Sequence, residues 1–361
     1  MPPPATRIRF APDDGFHAAV RQRAQEHFRT FPGHHRPRVM LIKSLVILGA
    51  LALAYAALLG WATMWWQAVP LAMLVGVLAA LVGFNIQHDG GHQAYSRNAW
   101  RNRMAAATLD LIGASSYLWN WKHAVYHHGF ANIAGHDTDI TVGRLVRLEP
   151  HQPREAHHRW QHLYIWLLYG LMAMRWQLYD DLREVVQGAI GPHRIPRPRG
   201  REMAIFILGK GVFLGFALVL PMMLHPVWVV LGLYAVAAST LGVFLSVVFQ
   251  LAHNTALCEF PLPTGNNGRI DHSWATHQLL TTANFSRHNP VATWFLGGLN
   301  YQIEHHLFPQ VSHIHYPALS RIVEATCREH GLPYREHPSF FHGVAAHVRW
   351  LQTLGQPTPG T

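Results

Sequence analysis

Ser44-Leu-Val-Ile-Leu-Gly-Ala-Leu-Ala-Leu-Ala-Tyr-Ala-Ala-Leu-Leu-Gly-Trp-Ala-Thr-Met-Trp-Trp-Gln-Ala-Val-Pro-Leu-Ala-Met-Leu-Val-Gly-Val-Leu-Ala-Ala-Leu-Val-Gly-Phe-Asn-Ile-Gln-His88 contains no Asp, Glu, Lys or Arg. One crossing of a bilayer takes about 20 apolar residues, so this stretch is long enough for two. The turn between them is expected at Trp65-Trp66-Gln67-Ala68-Val69-Pro70, where Trp suits a lipid–water boundary. A second uncharged run, Gly211 to Ala252, is broken by Pro221 to Pro226. Four spans are therefore predicted, at about 41–63, 68–88, 203–224 and 227–251. The competing reading is two buried hairpins of a soluble protein; it is disfavoured because soluble helices seldom run so far without a charge.

Outside these runs the chain is basic. Its 361 residues carry a net charge of +10, yet only 13% are charged and 50% are apolar. An ordinary soluble domain is about a quarter charged, so lipid is the expected solvent and nucleic acid is not an expected partner. Both predicted turns lack Lys and Arg. The amino terminus, 97–201 and the tail after Ala252 hold the basic residues, apart from Lys43 at the start of the first span and Lys210 in the third. The positive-inside rule then puts these parts, and both termini, in the cytoplasm. The expected fold is an all-α, multi-pass integral membrane protein: two transmembrane hairpins under a cytoplasmic helical cap. Its parts are a cytoplasmic segment 1–40, a membrane domain 41–320 and a cytoplasmic tail 321–361, with helical patterning near 317–330. No signal-peptide segment opens the chain, so cleavage is not expected. Lys210 must reach an interface or face a protein cavity. Tyr164 to Leu178 is apolar but short and carries Arg175, which suits a helix along the interface. Cys258 and Cys327 are too few for a disulfide framework or a Cys-based zinc site.

The 28 histidines are the unusual number, and their spacing is informative. His88-Asp-Gly-Gly-His92 ends the second span, and two His four apart share one helix face. His123-Ala-Val-Tyr-His127-His128 places three imidazoles on adjoining faces. Gln302-Ile-Glu-His305-His306 supplies a third set, and His253 ends the fourth span. Any one pair also suits a cap or a core. Together they converge on the cytoplasmic mouth of the spans, with too many imidazoles for one ion and about four for each of two. Imidazole suits zinc, copper, iron and nickel. A redox ion with open positions, as O2 chemistry needs, accounts for the surplus. The absence of bridging carboxylates separates the pattern from soluble Glu/His di-iron bundles. Asp89, Asp137, Asp139 and Glu304 are candidates to orient imidazole N–H groups, although Asp137 and Asp139 also suit a turn. His277 fits either that supporting role or a core position. His313 and His315 are read as structural. His27, His34, His35, His151, His157, His158 and His162 fit no ligand pattern and are read as interfacial or solvated.

Three longer stretches carry a resemblance. His127-His-Gly-Phe-Ala-Asn-Ile-Ala-Gly-His-Asp-Thr-Asp-Ile140, Trp274-Ala-Thr-His-Gln-Leu-Leu-Thr-Thr-Ala-Asn-Phe285 and Gly297-Gly-Leu-Asn-Tyr-Gln-Ile-Glu-His-His-Leu-Phe-Pro309 resemble the membrane fatty acid desaturase superfamily. The likeness is to its acyl-lipid/linoleoyl-CoA branch, which includes the front-end desaturases, and extends over roughly 80–320. In that branch Gln opens the third box, as Gln302 does here. The resemblance implies two non-haem Fe ions held by His88, His92, His123, His127, His128, His305 and His306. His253 is similar to an extra ligand of stearoyl-CoA desaturases, and Gln302 would bind weakly or through water.

The implied activity is O2-dependent formation of a cis double bond in an acyl chain held as a CoA, carrier-protein or lipid ester. Arg-rich segments suit the phosphates of such a carrier. No side chain oxidises an unactivated C–H bond, so the metal must carry the chemistry. A bent apolar tunnel closed by residues such as Trp119, Trp121 or Trp294 is expected to choose the carbon. Many front-end members carry a fused cytochrome b5-type domain with a His-Pro-Gly-Gly motif. Phe31-Pro-Gly-His-His35 is not that motif, so an external ferredoxin or cytochrome is the expected donor. A hydroxylase of the same superfamily would use the same ligands. A metal-dependent membrane carrier would instead place polar residues at midplane, where these spans are clean.

Overall fold

The computed structural model describes residues 8–30, 37–140, 143–265 and 268–357. His34 and His35 lie outside them. The protein is mostly helical. Among the described residues, four helices are long and apolar enough to cross a membrane: Arg38–Gly60, Trp65–Gly91, Arg201–Leu224 and Val227–His253. These are called the first to fourth spans. The second is the most buried; the other three turn most of their apolar surface outward. Trp61, Trp65, Trp66 and Trp228 stand exposed beside the two connecting turns, as interfacial aromatics do.

The first connection falls at Trp61–Met64, earlier than the Trp-Trp-Gln-Ala-Val-Pro stretch suggests. Gln67 explains the shift. Its Oε1 accepts from the backbone N–H of Thr63 at 3.1 Å and of Met64 at 3.2 Å, which fixes the helix start at Trp65. Pro70 is then carried inside the helix. Pro221 is likewise internal to the third span. A π-helical turn at Gly215–Val219 precedes it, and the Phe216 carbonyl accepts the Tyr55 hydroxyl at 2.7 Å. The real break is at His225–Pro226, and His225 Nε2 meets the Leu59 carbonyl at 2.7 Å.

The fourth span is the hub. A Cβ added to Gly76 of the second span would lie 2.3 Å from the Ala237 carbonyl, and one added to Gly242 would lie 2.3 Å from the Tyr169 carbonyl. The helices can approach so closely only because these residues are glycine. Tyr169 belongs to helix Gln161–Arg175, within the segment expected along the interface. That helix buries Ile165, Tyr169, Gly170 and Ala173, while Leu163, Leu167 and Leu171 face outward. Lys210 faces protein: its Nζ lies 2.8 Å from Asp181 Oδ2 and donates to the carbonyls of Gly113 and Gln177.

Beyond the spans, helix Phe16–Thr30 packs Phe16 and Val20 with Val323 and Cys327, which lie on helix Tyr316–Glu329. Strand Arg9–Ala11 runs parallel to Arg269–Ser273, and Asn284–Phe285 parallel to Glu336–His337. Helix Phe340–Gly355 docks on the fourth span and on Gln161–Arg175; His347 bonds the Tyr169 hydroxyl at 2.8 Å and the Asn254 carbonyl at 2.7 Å. Both cysteines are buried and free.

Candidate metal centre

The second span does not reach His88 as a plain α-helix. Gly83–Gln87 forms a π-helical turn, with the His88 N–H bonding the Gly83 carbonyl. A wider turn also carries the second histidine set, over Asn120–His127. Bonding from i to i+5 brings residues four and five apart onto one side, so His123, His127 and His128 face the same point. A regular α-helix would leave these three on adjoining faces; the wider turn is what unites them. Tyr301 leads directly into helix Gln302–Leu307, which supplies His305 and His306, and His253 closes the fourth span.

Potential ligand atoms gather in overlapping groups, each within 4.8 Å. One group is His88, His92, His123 and His305. Another is His127, His253 and His306, and His128 joins His305 and His306 in a third. The rings interlock: His88 and His305 centroids are 4.4 Å apart, and His128 stacks on His306 at 4.3 Å. The Nε2 atoms of all these histidines are buried with no hydrogen-bond partner, as is Gln302 Oε1. Leaving so many nitrogens dry and unpaired is costly. Metal coordination is the chemistry that satisfies them, and a donor set of imidazoles with one amide suits a transition metal.

In four of these rings the opposite nitrogen meets a partner from behind. His127 Nδ1 is 2.9 Å from Asp137 Oδ2, His306 Nδ1 is 2.7 Å from Gln278 Oε1, and His305 Nδ1 is 3.1 Å from the Tyr316 hydroxyl. His123 Nδ1 lies 3.6 Å from Asp139 Oδ2. Such partners fix the tautomer and aim Nε2 at the metal. Burial, then the neighbouring imidazoles, holds His92, His128, His305 and His306 well below the ordinary histidine pKa, so they stay neutral and able to ligate. His123 is lowered by burial, against the pull of Asp139. At His127 burial also disfavours the charged ring, but the Asp137 carboxylate outweighs it and the pKa rises.

The structure redistributes the supporting roles. Asp89 Oδ2 sits 3.0 Å from His313 Nδ1 and accepts from Ser312 Oγ, so it serves no cluster imidazole. Glu304 is occupied by Asn284 and by the Tyr334 hydroxyl, because its side chain leaves the helix on the side away from His305 and His306. His277 is buried against Phe10, outside every ligand group. Asp137 and Asp139, which also suit a turn, are the carboxylates that face His127 and His123. Nothing in the sequence marks Gln278 or Tyr316 as a partner; Gln278 lies inside the quoted stretch 274–285, but no spacing rule links it to His306. Of the histidines read as interfacial or solvated, His158 is fully buried, accepting from the Glu155 N–H and meeting the Arg144 carbonyl. Trp119 stacks on His123 at 4.7 Å, whereas Trp121 packs in a separate cluster with Leu118 and Tyr126.

Buried imidazoles ringed between the ends of two membrane spans define a membrane protein built to hold metal. The chain belongs to the fatty acid desaturase family, whose model matches residues 64–338. It is 37% identical over 354 residues to the sn-1 linoleoyl-lipid 6-desaturase of Synechocystis sp., covering 98% of this chain and 99% of that protein. It is 37% identical over 358 residues to the acyl-lipid (8-3)-desaturase of Physcomitrium patens, covering 96% of this chain and 72% of that protein. A third relative, the acyl-lipid (8-3)-desaturase of Mortierella alpina, is 31% identical over 94% of this chain and 78% of its own length. The protein is thus an oxidoreductase, a fatty acyl desaturase working in a membrane.

Proposed function

We propose that this desaturase holds two non-haem irons and acts on acyl chains esterified in membrane lipids. The observation that carries the reading is the set of buried, unpartnered Nε2 atoms on four separate chain segments. His88, His92, His123 and His305 would hold one iron. His127, His253 and His306 would hold the other, with His128 between them and Gln302 bound weakly or through water. When bound, the irons supply the redox chemistry by which O2 removes hydrogens from adjacent CH2 groups. Two hydrogens leave the acyl chain; O2, with two electrons and two protons from outside, leaves as two waters. The side chains position: Asp137, Gln278 and Tyr316 hold imidazole N–H or acceptor atoms in place, and Trp119 walls the ring beside His88 and His123.

The basic residues put the histidine-bearing ends of the spans, and both termini, on the cytoplasmic side. The spans then form two hairpins beneath a cytoplasmic cap, and a separate ferredoxin or cytochrome b5-type protein delivers electrons. The relatives' names favour a lipid ester over a thioester, and the likeness to front-end desaturases points to a cis double bond toward the carboxyl end. The test is expression in a host fed defined acyl chains, with new double bonds mapped by mass spectrometry and iron measured in the purified chain. The reading requires two irons per chain and a product that disappears with His305→Ala. A chain without iron, or undiminished product from that variant, would refute it.

A further inference from the structure

A cavity of about 660 Å³ has Tyr301, the residue before Gln302, in its wall, and the metal chemistry leaves it unused. Its wall includes Lys43, Arg287, Trp294, Tyr301, His313 and Arg321. Lys43 is the informative member. It lies near the start of the first span and is only 7% exposed. Its Nζ is 3.0 Å from His313 Nε2, while His313 Nδ1 is 3.0 Å from Asp89 Oδ2. The His313 ring thus turns Nδ1 toward the Asp89 carboxylate and Nε2 toward the Lys43 ammonium. Lys43 is thereby held as a donor with N–H bonds to spare. No carboxylate lies within ion-pair distance of it among the described residues, and a buried cation without a counter-charge is costly.

The other charges narrow what fills the space. Arg287 is spent on Glu324 and Glu336, each at 2.7 Å, and Glu324 is spent in return. Arg321 makes no ion pair among the described residues and is exposed at the rim. Two uncommitted cations therefore face one cavity. The Trp294 ring centroid lies 5.1 Å from Lys43 Nζ, and Trp294 meets Phe295 on an exposed apolar stretch of the same helix. Tyr301 in its wall precedes Gln302, and His313 in its wall lies against Asp89, which follows His88. The cavity wall thus carries Trp294, Lys43 and Arg321 together with Tyr301 and His313, which adjoin the neighbours of the metal-site residues.

We infer that this cavity seats the phosphate of the acyl carrier, with Lys43 and Arg321 as its ligands. The inference rests on the desaturase reading and adds the chemical class of the substrate's head. Phosphate is shared by a phospholipid and by coenzyme A, and an uncharged glycolipid lacks it. Charge-assisted hydrogen bonds to a buried anion are the strong kind.

The experiment measures binding of three ligands with the same acyl chain to the full-length, iron-loaded protein: phosphatidylglycerol, a monogalactosyl diacylglycerol and the acyl-CoA. Native mass spectrometry gives the affinities without need of the electron donor. At least one phosphate-bearing ligand should bind about tenfold more tightly than the galactolipid, and whichever it is identifies the source. Lys43→Gln and Arg321→Gln should each remove most of that preference. Arg321 is exposed, so its variant tests the inference even where Lys43→Gln does not fold. Equal binding of the galactolipid, or a preference that survives Arg321→Gln, overturns the assignment. Product formation in the fed host, measured in parallel, separates that failure from a failure of the desaturase reading.

Discussion

Asp137 and His127 are both fully buried, and Asp137 Oδ2 meets His127 Nδ1 at 2.9 Å while also accepting the Asn132 N–H at 2.9 Å. The carboxylate thus ties a loop turn to a ring whose other nitrogen has no protein partner. Removing such a supporting group typically costs 10–100-fold in metal affinity or activity. Asp137→Ala should lose that much activity and lower iron content at limiting iron. Iron per chain by mass spectrometry, read beside product yield, checks it; full iron with full activity would reduce Asp137 to a loop residue.

Gln278 offers a cleaner separation, because its amide does two jobs. Oε1 faces His306 Nδ1 at 2.7 Å, and Nε2 donates to the His128 carbonyl at 3.0 Å. Gln278→Glu keeps an acceptor for His306; Gln278→Ala keeps nothing. The alanine variant should fall about tenfold or more in turnover, and the glutamate variant should recover part of the loss. Equal losses in both would mean that the His128 contact, not the His306 contact, matters.

Gln302 is expected to behave unlike its histidine neighbours. Its Oε1 is buried and unpartnered, but an amide oxygen is a far weaker ligand for iron than an imidazole. Gln302→Ala should therefore keep two irons per chain while turnover drops, whereas His306→Ala should lose iron outright. Loss of iron from Gln302→Ala would promote it to a full ligand.

Gly91 is constrained by the site and not by its own backbone. A Cβ there would lie 2.2 Å from the Trp119 ring, which stacks on His123. Gly91→Ala should push Trp119 off His123 and cut activity by about an order of magnitude, since a misplacement of about 1 Å near the chemistry can cost roughly 100-fold. Restored activity in Gly91→Ala/Trp119→Phe, where the smaller ring leaves room, would identify the clash as the cause.

The spans are legible in the sequence because membrane crossing imposes a length and a polarity that few other constraints mimic. The histidines are legible because each set repeats on a helical period. What escapes is set by tertiary contact. Gln67 moves the first turn by capping Thr63 and Met64, a local bond that overrides the proline signal. Asp89 and Glu304 adjoin cluster histidines in sequence, yet their side chains leave the helices on other sides. Gln278 and Tyr316 reach His306 and His305 across the fold, where no spacing pattern links them. The Lys43–His313–Asp89 chain joins residues 270 apart in sequence between Lys43 and His313, so only the folded chain reveals it.

Asp110 sets a pH dependence away from the metal. Burial pushes its pKa up from 3.8 to about 6, against a bond from Ser116 and with Asp181 adding repulsion. The folded chain then binds this proton more tightly than the unfolded chain does. The stability it contributes is complete below pH about 4 and lost as pH rises through about 6. A rise of that size corresponds to something on the order of 2 kcal/mol after allowance for partial exposure. The wild type should therefore melt lower at pH 8 than at pH 5, and Asp110→Asn, which has no proton to lose, should shrink that difference. Glu184, pushed up to about 7 chiefly by burial, adds a contribution of the same sign. The comparison that isolates Asp110 is the double variant with Glu184→Gln: if Asp110→Asn changes nothing in that background, the Asp110 carboxyl is already ionised in the fold and burial does not raise its pKa.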